Sequence, residues 1–82
     1  MENSVTSLDA KIVELIAIGA SIGGNCLPCL RYHFAEAVKN GCTIQEIEEA
    51  IKLGKMVKER PINDIYKLAD DLITKEKKGN IE

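Results

Sequence analysis

Two of the chain's three cysteines and its only histidine stand within nine residues, in Asn25-Cys26-Leu27-Pro28-Cys29-Leu30-Arg31-Tyr32-His33. Thiols at this spacing, followed by an imidazole, suit three chemistries: a redox centre, part of a metal site, or small buried apolar residues beside a core histidine. On a helix, at about 100° per residue, Cys26, Cys29 and His33 share one stripe. The thiols then lie in the first turn, where unpaired N–H groups and the helix dipole favour a thiolate. Pro28 is tolerated there because its missing N–H would have had no intrahelical partner. His33, one turn beyond Cys29, is placed to accept its proton, the nucleophile–base arrangement that thiol chemistry needs at neutral pH.

Glu14 is the fourth candidate. Between Lys11 and Arg31 it carries the only ionisable side chain other than the two thiols. A carboxylate on an otherwise apolar helix is costly to bury unless it is paired. Pairing with His33 across a helical hairpin would offset that cost and hold the imidazole in the tautomer that accepts from Cys29. Glu36, three residues after His33, competes for this role but points toward the polar face.

Helical spacing accounts for nearly all of the chain after residue 7, and strand signals are almost absent. Four helices are expected. The first opens at Ser7 as N-cap and runs to Gly23-Gly24; the second begins at Asn25 as N-cap and ends at Asn40-Gly41, with Gly41 in the left-handed conformation. The third starts in the capping box Thr43-Ile44-Gln45-Glu46 and continues to about Glu59. Gly54 inside it costs roughly 1 kcal/mol against alanine, which points to close helix approach. The fourth places Pro61 at N1 and sets Ile62, Ile65, Tyr66, Ala69, Leu72 and Ile73 on one face. Leu27, Leu30, Phe34 and Val38 form the expected apolar face of the second helix, and Cys42 is expected to pack on Ile47 as a hydrophobic staple. Residues 1–7 and 77–82 are expected to be flexible ends.

The 82 residues predict a single domain, near the lower limit for one hydrophobic core. A first helix apolar on nearly every side needs cover that three short helices do not supply, so a homo-oligomer is expected. Eleven basic against thirteen acidic residues form no basic patch, which argues against nucleic-acid binding. The longest apolar run, Leu15–Gly24, is about half the length of a membrane span, and Met1–Ser7 has no signal-peptide character. A reducing cytoplasm is the expected location, where Cys-x-x-Cys points to catalysis or metal binding rather than to a structural disulfide.

Glu14, eleven intervening residues, and Cys26-x-x-Cys29-x-x-x-His33 resemble the signature of the alkylhydroperoxidase D-like branch of the carboxymuconolactone decarboxylase superfamily. The segment HFAEAVKNGCTIQEIEEAI is similar to that family's His-x-x-x-Ala-x-x-x-Gly-x-(Ser/Thr)-x-x-Glu-Ile-x-Glu-Ala stretch, so the resemblance covers roughly residues 10 to 58. It implies an all-α bundle assembled as a homo-oligomer, often a trimer or hexamer. It implies Cys29 as the peroxidatic thiol, Cys26 as the resolving thiol that forms a disulfide with it, and His33 with Glu14 as proton relay. No cofactor beyond that redox-active disulfide is implied. The partners would be a hydroperoxide or disulfide substrate and an external dithiol reductant, such as a thioredoxin-like or lipoyl protein. Larger members carry a second histidine between the cysteines, where this chain has Leu27-Pro28.

Three alternatives accompany this reading. A disulfide reductase would use the same dithiol. A decarboxylase-like enzyme on the same scaffold would not need the thiols. A zinc module would recruit Cys26, Cys29, His33 and Cys42, although an unbroken second helix carries Cys42 about 20 Å from the first turn.

Overall fold

Each helix begins where a side chain can take up its first free amides. The computed structural model describes residues 6–81, and these are all-helical, with no strand among them. The elements are α1 (Ala10–Gly23), α2 (Leu27–Lys39) and α3 (Ile44–Ile81). The N-cap of α1 is Asp9 rather than Ser7: its carboxylate accepts from the amides of Lys11 and Ile12. The capping box of α3 forms as the sequence predicts. Thr43 Oγ1 accepts from the Glu46 amide at 3.0 Å, and Glu46 Oε1 accepts from the Thr43 amide at 2.8 Å.

The α1–α2 connection departs from expectation. Asn25 is not an N-cap. With φ at 56° it is the left-handed residue that ends α1, its amide donating to the Ile22 carbonyl while the Cys26 amide donates to that of Ser21. This is a Schellman ending with asparagine in the place usually held by glycine. Gly23 and Gly24 leave the turn itself to Asn25. The α2 terminus repeats the pattern with Gly41 at φ 89°, where the Gly41 and Cys42 amides donate to the carbonyls of Val38 and Ala37. That ending delivers Cys42 into the core beside Ile18, Ala37 and Ile47, in keeping with the predicted staple.

Among the described residues three helices form, not four. The chain passes through Pro61 without a break. A helix starting at Pro61 would need Arg60 as its N-cap, and arginine has no acceptor to offer free amides. Continuing the helix orphans only the carbonyl of Val57, an exposed residue, and the Arg60–Asp64 ion pair at 3.4 Å bridges the proline. The helix also runs through residues 77–81, predicted to fray. The flexibility expected of residues 1–5 and 82 lies outside the described residues.

α1 is the central helix, in contact with both α2 and α3, which barely touch one another. It runs parallel to α3: Lys11 pairs with Glu46 at 3.5 Å near one end, Gly19 meets Gly54 in the middle, and Asn25 bonds Lys58 at the other. A Cβ at Gly54 would lie 3.2 Å from the Gly19 Cα and carbonyl oxygen, so the glycine exists for backbone approach. The buried apolar core is Ile18, Ala37, Cys42 and Ile47, with Leu15, Leu30, Ala50 and Ile51 packed on it. Of the expected α2 face only Leu30 joins this cluster. Leu27, Phe34 and Val38 are exposed, because α1 alone covers α2 and meets it along the Leu30–His33–Ala37 line. No helix is long and apolar enough to cross a membrane among the described residues.

The glycine crossing has a direct test. Gly54→Val forces α1 and α3 apart and is expected to cost about 1–3 kcal/mol. Gly23→Ala, at a helical position with open space around it, is expected to stabilise by roughly 0.5–1 kcal/mol. Thermal unfolding of both variants checks the pair of opposite signs.

Candidate active site

Cys26 belongs to two helix ends at once. Its amide closes the Schellman ending of α1, and its side chain caps α2. The Cys26 Sγ accepts from the Cys29 amide at 3.2 Å. An N-cap side chain ordinarily reaches the N2 or N3 amide; here N2 is Pro28, which has none, so the sulfur is directed to Cys29. The two cysteines are joined as a disulfide, with Cα atoms 5.2 Å apart. Cys29 is an exposed residue and Cys26 a half-buried one.

Four residues after Cys29, His33 turns to α1. Its Nδ1 lies 2.7 Å from Glu14 Oε1. Glu14 is buried, at 8% exposure, within the otherwise apolar run of α1. A carboxylate only accepts, so Nδ1 is the donor in this contact, and the neutral form of a ring so held has its lone pair on Nε2. The ring is part-exposed and packs edge-on against Tyr32, with centroids 4.9 Å apart. Glu36 is not the ring's partner. The structure thus brings Glu14 to His33 across the hairpin and Cys26 to Cys29 within one turn. The ring's hydrogen bond goes to the carboxylate and not to a sulfur; in the oxidised pair there is no thiol proton to share.

Cys42 stands apart, at the far end of α2 and buried. Burial, reinforced by the charge of Glu46, pushes its thiol pKa up. The four ligands of the zinc reading therefore do not converge, and no group of three or more potential ligands is poised for a metal among the described residues.

A cleft of about 380 Å³ opens beside the disulfide, lined by Ser21, Ile22, Asn25, Cys26, Leu27, Leu30 and Lys58. The last of these, and its 2.6 Å hydrogen bond to Asn25 Oδ1, were not legible in sequence: the contact spans 33 positions and no motif marks it. A larger groove of about 650 Å³, lined by residues such as Leu15, Ile16, Leu53 and Val57, runs between α1 and α3, and no cysteine or histidine lines it.

The model of the carboxymuconolactone decarboxylase family matches residues 2–58, which include Glu14, Cys26, Cys29 and His33. The chain belongs to this family. Carboxymuconolactone decarboxylase family members are enzymes, peroxidases or decarboxylases. No curated protein and no solved structure matches the chain. Within the family frame, the disulfide gives this member a Cys-x-x-Cys pair at the start of α2, and the matched segment ends at Lys58, before the outer half of α3.

Alkylation separates the three cysteines. After reduction, iodoacetamide at neutral pH is expected to modify Cys26 and Cys29 well before Cys42, whose raised pKa and burial withhold the thiolate. Peptide mass mapping over time reads the order; uniform labelling contradicts it.

Proposed function

We propose that the chain is a thiol-dependent oxidoreductase of the peroxidase-like kind, with Cys29 as nucleophile, Cys26 as resolving thiol, His33 as base and Glu14 orienting it. The observation that carries this reading is the Glu14–His33 hydrogen bond, which leaves Nε2 as acceptor on the helix that bears a closed Cys26–Cys29 pair. In the reduced state the Cys29 thiolate attacks the distal oxygen of a hydroperoxide. The O–O bond breaks, the alkoxide leaves with the electron pair and takes the proton held by His33, and Cys29 becomes a sulfenic acid. Cys26 gives its proton to His33 and its thiolate then attacks the Cys29 sulfur; the S–O bond breaks, the departing hydroxide takes that proton back as water, and the disulfide forms. The Cys29 amide aimed at Cys26 Sγ favours the Cys26 thiolate that this step needs. A dithiol reductant, thioredoxin-like or lipoyl-bearing, restores both thiols by exchange. The same last step supports disulfide reductase activity as a close neighbour.

The test is titration of the reduced protein with hydrogen peroxide and an organic hydroperoxide, trapping sulfenic acid by mass spectrometry. Cys26→Ser is expected to accumulate the trapped species at Cys29. His33→Ala is expected to slow its formation at least about a hundredfold, and Glu14→Gln by less. Full activity in a variant with both cysteines replaced by serine would point instead to a decarboxylase-like enzyme.

We also propose a homo-oligomer, trimeric or hexameric. The support is the apolar surface that one chain leaves uncovered: the α1–α3 groove, the Leu27 and Val38 face of α2, and the Ile62, Ile65 and Leu72 stripe of α3. Light scattering at micromolar concentration is expected to give a mass several times that of one chain; a monomeric mass overturns the proposal.

A further inference from the structure

The cleft beside Cys26 has walls of Ile22, Leu27 and Leu30 and a single charged group, Lys58, which arrives from α3. Lys58 is half-buried although Val57 and Glu59 on either side are exposed. Its Nζ donates to Asn25 Oδ1, and an ammonium carries three donors, so two remain for another acceptor. Among the described residues no carboxylate pairs with it; the lysines and arginine that do pair are Lys11, Arg60 and Lys67. The Ser21 hydroxyl already donates to the Ala17 carbonyl. The space next to the disulfide is therefore mainly apolar, with Ser21 and Asn25 as its neutral polar lining, one available cation and no lining anion.

We propose that Lys58 makes this cleft an anion-selecting substrate subsite, fitted to organic hydroperoxides or disulfides whose apolar body carries a carboxylate. This rests on the reading of Cys26 and Cys29 as a redox pair. Lys58 touches the substrate's carboxylate, not the reacting atoms, and acts as a specificity-determining residue.

The experiment uses two aromatic disulfides as probes, the anionic dithiobis(nitrobenzoate) and the neutral dithiodipyridine, each reacted with the reduced protein and with dithiothreitol as reference. A protein thiolate attacks one probe sulfur; the S–S bond breaks and one aromatic thiolate leaves with the electron pair. The second protein thiol, after losing its proton, attacks the mixed disulfide and releases the other. The probe gains two electrons and the protein closes its disulfide.

Relative to dithiothreitol, the protein is expected to favour the anionic probe on the order of fivefold, the effect of one charge about 4 Å away across water. Lys58→Met is expected to erase that preference by slowing the anionic probe about fivefold more than the neutral one, and Lys58→Arg to retain it. Equal slowing of both probes by Lys58→Met would mean that the lysine only tethers Asn25, and overturns the proposal, as does absence of preference in the parent protein. Reaction of the folded thiols with both probes no faster than in the urea-unfolded chain removes the redox reading itself, and the subsite with it.

Discussion

The fold depends most on the part-buried contact between Glu14 and His33. Burial alone does not set how α2 is turned against α1, because Leu27, Phe34 and Val38 are all exposed and only Leu30 and Ala37 meet the core. A carboxylate inside the apolar run of α1 has a sharper requirement, since without a partner it is costly to bury. Taking His33 Nδ1 at 2.7 Å meets that requirement and fixes the rotation of α2 at once. Leu30 and Ala37, three residues before and four after, then face α1, and Cys29 sits one turn below the ring. Losing either partner strands the other, at about 1–3 kcal/mol, a large share of what so small a core supplies.

Around that contact, two like-built helix endings do the placing. Each closes with a left-handed residue, Asn25 or Gly41, and delivers a cysteine to the position after it. The outcomes diverge one position further along. Cys42 precedes Thr43, which caps α3 itself, so its thiol turns inward and becomes part of the core. Cys26 has no such neighbour and serves as the cap, with Pro28 steering its sulfur to the Cys29 amide. Two thiols of similar backbone setting thus differ in availability because of the residues next to them.

The all-α class, the capping box, the Gly41 ending, the close approach at Gly54 and the Glu14–His33 pair were legible in sequence, because each rests on local spacing or on one conspicuous polar residue in an apolar run. What was not legible depended on competition between neighbours. Ser7 and Asp9 both suit an N-cap, and the Asp9 carboxylate took the amides of Lys11 and Ile12. Asn25 suits an N-cap and a left-handed turn equally, and the free carbonyls at the end of α1 claimed its amide first. Pro61 read as a helix start, yet Arg60 before it gave no cap. The Asn25–Lys58 bond lay beyond any pattern argument, since it joins residues on different elements that only the helix crossing brings together.

The outer half of α3 has a consequence for how the chain is held together. From Glu59 to Gly79 every residue is exposed, so this stretch draws on helix propensity and on pairs such as Lys67–Asp71 rather than on tertiary packing. In proteins most helical stability comes from packing of an amphipathic face rather than from propensity. Stability is therefore graded along a single rod: firm where α1 and its closing turn brace it as far as Lys58, and weaker beyond Pro61, where the apolar stripe is uncovered. Any surface that covered that stripe would therefore stabilise the helix as it bound.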